Sequence, residues 1–391
     1  MRILMYSHDS YGLGHLRRTL ALAESFVAGN AGASVLILTG STVSGTFRMS
    51  PGIDLVKLPS AVKVANGEYE SSRMKVTFNS LKKLRSNLIL SATETFDPDA
   101  FLVDKAPLGM KREVYPALSL LRQERPSTLT VLGLRDVMDE PWRIRRNWRE
   151  GGIVEAIEEL YDIVLIYGPR EVYDPLPEYG LSESTLERCR YVGYIGRSPT
   201  LEENADRGFG AGYVLVTAGG GADGFFLIKN YLDSLRGRKP SFESIVVTGP
   251  LMDDDSRREI ETLSRGLRVR VTDFQTDMEN LIREAGAVVS MGGYNTTIEL
   301  LAARKAALIV PRVEPRLEQL IRAERLSQLG LVEMIHPNDL TPARMREKVE
   351  ALLARDPGSF GQVSVDLSGA RRAVETIRAG IARKRTLAVG A

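Results

Sequence analysis

Two doubly wound α/β domains facing across a cleft are what this 391-residue sequence predicts. Three observations carry the expectation. Apolar runs of strand length alternate with helix-period stretches from end to end, the pattern of parallel βαβ units. A polar, glycine-bearing stretch without periodicity, RSPTLEENADRGFGAG at 197–212, interrupts the alternation, which then restarts. The chain is also longer than one hydrophobic core usually supports. The result is a pair of Rossmann-like units: a first domain over 1–197, a linker over 198–212 and a second domain over 213–366. A C-terminal helix follows over 367–391, and its packing back onto the first domain is left open.

In the first half the expected strands are RILMYS, SVLILTG, IDLVKLP, AFLVDKA, LTVLGLRD, IVLIYG and YVGYIG. Helices are expected over 16–29, 78–96 and 112–125, with one long helical segment over 141–162. In the second half the strands are YVLVTAGG, SIVVTGP, VRVTDF, AVVSMGG, AALIVP and LVEMI. TPARMREKVEALLARD reads as a helix with a threonine cap and a proline in its first turn. A last basic helix is expected from about 367 to 384.

Composition narrows the function. The chain is 43% hydrophobic and 26% charged, with a formal net charge of +2, so it carries no basic field that would gather nucleic acid. One cysteine, Cys189, excludes an internal disulfide framework and suits a reducing compartment. No run approaches the roughly 18 apolar residues of a membrane span, and MRILMYS meets a polar loop at His8, too soon for a secretory signal. A cytoplasmic protein is expected, with peripheral membrane contact left open.

In parallel sheets ligands bind beyond the carboxyl ends of the strands, so the loops there hold the candidates. In VVSMGGYNTTIELL a strand ends at Ser290, Gly292 and Gly293 follow, and a helix opens near Asn295, Thr296 and Thr297. Glycines admit close backbone approach, and the first amides of a helix suit a diphosphate. Glu299, on the same opening turn, suits a ribose diol. The acidic run at 253–255 reads as a helix cap, and no His/Cys cluster has metal-ligand spacing, so no metal or other cofactor is expected.

GGYNTTIELLAARKAALIVP, the following EQ and TDFQTDMENLI together resemble the C-terminal domain of family 28 glycosyltransferases, over about 213–353. The resemblance implies the GT-B fold of two Rossmann-like domains and a nucleotide-sugar donor. It assigns Phe274, Gln275 and Met278 to the base. Gly292, Gly293 and the amides near 295–297 go to the phosphates, and Glu299 to the ribose. Glu318 and Gln319 go to the donor sugar, and Arg197 to the diphosphate. Family 28 chains carry a serine in the glycine turn after the first strand of this domain. TAGGGADG has none within the turn, so backbone donation from Gly219, Gly220 and Gly221 is expected instead.

The stretch GLGHLRRTLALA resembles the first glycine-rich loop of the same enzymes, and more closely that of PseG-type nucleotide-sugar hydrolases. Gly12 and Gly14 permit a tight turn after strand one. They place His15 at a helix N-terminus, where the dipole favours the neutral imidazole that a general base requires. Asp104, ending AFLVD, is the preferred partner for His15 or the acceptor; Asp136, ending LRD, is the second choice. His8 and His336 are given ordinary structural roles. Arg17 and Arg18 are read either as surface residues or as facing an anion.

Two further stretches remain open. EPWRIRRNWREGG reads as a helix with inward aromatics and solvated arginines, in preference to a nucleic-acid or acceptor surface. The segment 71–90 reads as a core helix with a basic outer face, with contact to an anionic leaflet as the alternative. The resulting expectation is an inverting, metal-independent transferase moving a sugar from a UDP-sugar, of UDP-GlcNAc type, to a hydroxyl acceptor. That acceptor is a glycan, a lipid-linked molecule or a small molecule. The rivals are a hydrolase of the same fold, a non-catalytic nucleotide-sugar-binding protein and, ranked below them, a 2-epimerase.

Overall fold

Strand β1 (Arg2–Ser7) is buried at every position but its first and lies in the interior of the first sheet. The computed structural model describes residues 1–8, 14–30, 32–64, 68–196, 212–237, 240–275, 277–355 and 364–389. Gly12, Arg197 and most of the expected linker lie outside the described residues. The chain divides into two compact units, Met1–Ile195 with Ser368–Ala391, and Gly196–Leu367.

In the first unit α1 (Gly14–Ala28), β2 (Ser34–Thr39) and β3 (Ile53–Lys57) follow β1. The segment after β3 folds into an antiparallel hairpin, β4 (Ala61–Lys63) and β5 (Tyr69–Ser71), which its short polar strands did not advertise. Next come α2 (Phe78–Phe96), β6 (Ala100–Asp104), α3 (Tyr115–Glu124) and β7 (Leu129–Arg135). Then α4 (Pro141–Glu150), α5 (Ile153–Leu160) and β8 (Ile163–Tyr167) lead through the short α6 (Leu176–Tyr179) and α7 (Glu183–Leu186) to β9 (Cys189–Tyr191). The sheet order is β3-β2-β1-β6-β7-β8-β9, all parallel.

One expected helix is in fact two. The 141–162 segment breaks where Gly152 takes a left-handed conformation (φ 61°). The tryptophans of the first piece also part company. Trp148 is 6% exposed and packs on Tyr179, whereas Trp142 is 53% exposed beneath the guanidinium groups of Arg143 and Arg146.

The second unit runs β10 (Val214–Thr217), α8 (Phe225–Ser234), β11 (Ser244–Val247), α9 (Asp254–Ser264), β12 (Val269–Thr272) and α10 (Met278–Glu284). It continues with β13 (Ala287–Ser290), α11 (Tyr294–Ala302), β14 (Ala307–Ile309), α12 (Glu318–Gln328), β15 (Glu333–Met334) and α13 (Pro342–Leu353). Its parallel sheet has the order β12-β11-β10-β13-β14-β15. Asp253 caps α9 by accepting from the Ser256 amide at 2.9 Å, the role read from the acidic run. Thr341 caps α13 in the same way.

The last helix, α14 (Gly369–Val389), returns to the first unit and packs against α1 and β7. Ala373, Val374, Ile377 and Ile381 form its buried stripe. Lys384 bonds Asp162 at 2.6 Å and Arg385 bonds Asp99 at 2.6 Å. Both tryptophans of the chain lie in the first unit, so their fluorescence reports that unit alone. Truncating the fully buried Ile377 to alanine is expected to destabilise the first unit by about 2–5 kcal/mol. Denaturant titration of tryptophan fluorescence reads this directly, and an unchanged midpoint would mean that α14 contributes nothing there.

Candidate active site

Both sheets reverse direction next to their first strand. In the first, the switch falls between β1 and β6; in the second, between β10 and β13. Ligands of open parallel sheets bind at the carboxyl end of such a crevice. In each unit the notable loop follows the strand at that switch.

In the first unit, β1 and β6 run in register from Ile3 opposite Ala100 to Tyr6 opposite Val103, so Asp104 follows directly at the strand ends. The chain leaves β1 and re-enters at α1, whose second residue is His15. His15 Nδ1 meets Asp104 Oδ2 at 2.5 Å. Arg18, one turn further along α1, donates from Nε (3.0 Å) and Nη2 (2.8 Å) to Oδ1 and from Nη2 to Oδ2 (2.7 Å). The Arg18 and Asp104 side chains are 1% and 3% exposed, and that of His15 is 12%. Arg18 Nη2 also lies 3.0 Å from His15 Nδ1. The carboxylate can only accept, and its contact is the shorter, so Nδ1 carries the hydrogen and donates it to Asp104; the guanidinium, which can only donate, then makes no bond to Nδ1. That fixes the tautomer and leaves the lone pair on Nε2.

Burial holds the His15 imidazole well below its ordinary pKa; Asp104 opposes this, while Lys105 and Arg18 add to it. Burial alone would raise the Asp104 pKa, but the Arg18 guanidinium, followed by His15, outweighs it and keeps the carboxyl ionised. Arg18 is itself held over the Tyr167 ring, 5.4 Å from its centroid. Tyr167 reaches it by crossing β7 at Gly133, where a Cβ would lie 1.8 Å from the tyrosine oxygen. The imidazole, the carboxylate that orients it and that carboxylate's counter-charge therefore come from two elements, α1 and β6, and are braced by a third, β8. Asp136 stands apart from this set: it is buried and accepts from the Tyr194 hydroxyl at 2.9 Å.

The second unit presents backbone where the first presents side chains. After β10, the Gly219 N–H bonds Thr217 Oγ1 at 3.2 Å and the Gly221 N–H bonds the Ala218 carbonyl at 3.3 Å. Of the three expected amides, only that of Gly220 makes no hydrogen bond among the described residues. This turn packs backbone on backbone with the next loop. A Cβ on Gly249 would sit 2.6 Å from the Gly220 carbonyl, and Gly221 (φ 97°) approaches the Thr248 carbonyl equally closely.

After β13, Gly292 is buried with φ 72° and Gly293 precedes α11. The Thr297 amide makes the helix's first internal bond, to the Gly293 carbonyl at 2.9 Å, and its side chain is buried. The amides that open the helix are accordingly those of Tyr294, Asn295 and Thr296. Glu299 is half-buried and falls on the second turn of α11, one turn later than its sequence position suggested.

Glu318 and Gln319 open α12, and both are engaged by Arg312. The Arg312 Nη2 donates to Glu318 Oε1 at 2.8 Å and its backbone N–H to Gln319 Oε1 at 3.0 Å. Its Nη1 reaches Asp223, in the turn after β10, at 2.8 Å. Sequence reasoning missed Arg312, because an arginine after a strand carries no periodic signal. Phe274 and Gln275 are half-buried just beyond β12, at the far end of the same edge, and Met278 is buried at the start of α10. Asp273 ties that end in: its carbonyl accepts from the Gly249 N–H at 2.9 Å. Gly14 begins α1 beside His15. Among the described residues no group of three or more His, Cys, Asp or Glu is placed to hold a metal. Cys189 is buried, and burial pushes its thiol up to about 11, which removes it as a nucleophile near neutral pH.

Residues 214–370 match the glycosyltransferase family 28 C-terminal domain. The second unit resembles the C-terminal domain of glycosyltransferase family 28. An uncharacterised glycosyltransferase of Methanopyrus kandleri is 28% identical over 51% of this chain and 55% of its own length. The UDP-N-acetylglucosamine–N-acetylmuramyl-(pentapeptide) pyrophosphoryl-undecaprenol N-acetylglucosamine transferase of Streptococcus equi subsp. zooepidemicus is 33% identical over 39% of this chain and 45% of its own. The chain thus spans about half the length of these relatives. Among solved structures, MurG of Acinetobacter baumannii superposes with a TM-score of 0.61 at 14% identity, covering 97% of this chain and 99% of that one. The glycosyltransferase of kitacinnamycin gives 0.63 at 20%, covering 99% and 98%. The whole chain therefore has the GT-B fold of these glycosyltransferases.

The depressed imidazole has a readable consequence. The unfolded chain binds a proton at its ordinary pKa of 6.5 and the folded chain only well below it. Stability from this group is full above pH 6.5 and is lost as the pH falls towards the folded value. Tryptophan-monitored unfolding is expected to weaken between pH 7 and pH 5, and His15→Gln is expected to flatten that slope. A slope that is the same in both would place the titration elsewhere.

Proposed function

We propose that this chain is an inverting glycosyltransferase that moves a sugar from a UDP-sugar to a hydroxyl acceptor, with His15 as general base. The observation that carries the reading is the 2.5 Å bond from His15 Nδ1–H to buried, ionised Asp104. It leaves an unprotonated Nε2 at a switch point, in a chain whose other unit resembles a family 28 C-terminal domain.

In the step, His15 Nε2 takes the hydroxyl proton as the acceptor oxygen attacks the anomeric carbon. The bond from that carbon to the diphosphate breaks, and UDP departs with the bonding pair. A single displacement inverts the anomeric configuration. The Gly220 amide and the opening amides of α11 receive the diphosphate charge, together with Arg197. Glu299 serves the ribose, Phe274 and Gln275 the base, and Gln319 the sugar. Gln319 accepts from the Arg312 amide through Oε1, and its amide nitrogen is the donor assigned to the sugar. The leaving charge is met by amides and arginine, and turnover is expected to survive EDTA.

A thermal-shift panel of UDP, GDP, dTDP and their sugars tests the donor. Stabilisation of about 2.7 kcal/mol is expected at one hundred times the dissociation constant, strongest for UDP compounds. His15→Ala is expected to keep nucleotide affinity and lower transfer at least about 100-fold. If no nucleotide stabilises the chain, the reading fails. Repeated sugar release without acceptor would instead make water the nucleophile.

We further propose that the acceptor is reached at an anionic bilayer surface. Met74 and Val76 ahead of α2, and Leu84 and Leu88 on its outer face, are exposed large apolar side chains. Arg73, Lys75 and Lys83 are exposed among them, a combination suited to an acidic leaflet. No helix of the described chain is long and apolar enough to cross a membrane. Flotation with vesicles containing phosphatidylglycerol is expected to carry the protein, and vesicles of phosphatidylcholine to leave it behind. Leu84→Ser/Leu88→Ser should weaken binding several-fold; equal binding by wild type and variant would reject the surface.

A further inference from the structure

His8 was given an ordinary structural role in the sequence, yet it stands beside His15. The two rings meet edge to face, with centroids 6.0 Å apart and planes at 88°. On its other side His8 Nδ1 is 3.4 Å from the Tyr6 hydroxyl oxygen. That hydroxyl is fully buried, and its single proton is committed to Glu113 Oε1 at 2.6 Å. Burial and the neighbouring Glu113 carboxylate both raise the Tyr6 pKa, so the hydroxyl keeps its proton. The oxygen accepts a long bond from the Met110 amide, 3.3 Å, and can offer His8 only a lone pair. His8 Nδ1 therefore has to be the donor.

Behind Tyr6 the anchoring continues. Arg85 of α2 grips Glu113 with two bonds, Nε to Oε2 at 2.7 Å and Nη2 to Oε1 at 2.6 Å, and its Nη1 donates to the Pro59 carbonyl at 2.6 Å. The Arg85 and Glu113 side chains are 2% and 0% exposed. A fully buried, charge-balanced chain of this kind fixes geometry at the cost of desolvation, and it ends on an imidazole that touches the base.

We propose that His8 is a positioning residue for His15: it holds the edge of the His15 ring and is itself oriented by Tyr6 and the Glu113–Arg85 pair. The inference rests on the reading of His15 as base. The Asp104 bond fixes one ring nitrogen but leaves the imidazole free to pivot about that contact. The perpendicular His8 ring restricts the pivot and so keeps Nε2 on one bearing.

The chain has three histidines, so ¹⁵N-labelled imidazoles can be assigned one by one with single variants. At neutral pH, His8 in the wild type is expected to show the Nδ1–H tautomer. In Tyr6→Phe it should shift towards the Nε2–H form that free imidazole favours, while His15 keeps its Nδ1–H signal. A wild-type His8 in the Nε2–H form, or one indifferent to Tyr6→Phe, would overturn the proposal. His8→Ala, at a half-buried position, is expected to lower kcat with UDP-GlcNAc about 10- to 100-fold, the scale of a small misplacement, with the donor KM within twofold. Tyr6→Phe/His8→Ala should be no worse than the worse single variant, because the two act through one contact; additive losses would contradict it. The surviving His15 Nδ1–H resonance separates lost positioning from lost folding. Retained turnover in His15→Ala would sink both readings, whereas loss there beside wild-type kcat in His8→Ala would sink this one alone.

Discussion

The carboxylate of Asp104 is the constraint on which the candidate site depends. It is buried, and a buried charge persists only with a partner. Two groups compete for that role, and the outcome decides the chemistry. Were His15 the sole partner, the ion pair would favour the imidazolium, with a proton on each ring nitrogen. Arg18 supplies the balancing charge through three hydrogen bonds. Asp104 is thereby free to orient the imidazole without protonating it, and burial then keeps the ring neutral.

The second unit applies the same topology to a different end. Its strand order repeats the reversal beside the first strand, but the loops after β10, β11 and β13 carry glycines where the first unit carries His15 and Asp104. Four loops along this edge are tied together. Asp273 binds Gly249, Gly249 packs on the turn at Gly220, and Asp223 in that turn binds Arg312, which holds Glu318 and Gln319. Amide dipoles stabilise charge well only when they are already aimed, and such a lattice of loops aims them before any ligand arrives.

Much of this was legible in the sequence because it is written in periodicity and punctuation. The strands, the glycine turns and the helix at 78–96 follow from local pattern, as does the cap at Asp253. The meeting of His15 with Asp104 was reachable too, since both end elements on the same sheet edge. Arg18 was reachable in part: it lies three residues from His15 and so shares its helical face. Other features were not local. The hairpin at 61–71 is short and half-buried, and the break at Gly152 looks like any glycine inside a helical stretch. Arg312 and His8 gain much of their meaning from residues distant in sequence, Asp223 in one case and, behind Tyr6, the Glu113–Arg85 pair in the other. Trp142 was assigned inward with Trp148, but the two stand on different faces of α4.

The return of α14 to the first unit has a consequence for synthesis. The second unit is a contiguous stretch, Gly196–Leu367, and all of it leaves the ribosome before α14 does. The half that is made first is therefore finished last. Until the final helix emerges, the apolar surface of α1 and β7 that it covers stays open to solvent and to chaperones. The order of completion inverts the order of translation: a ribosome paused between the two would hold a complete second unit while the first still lacks α14.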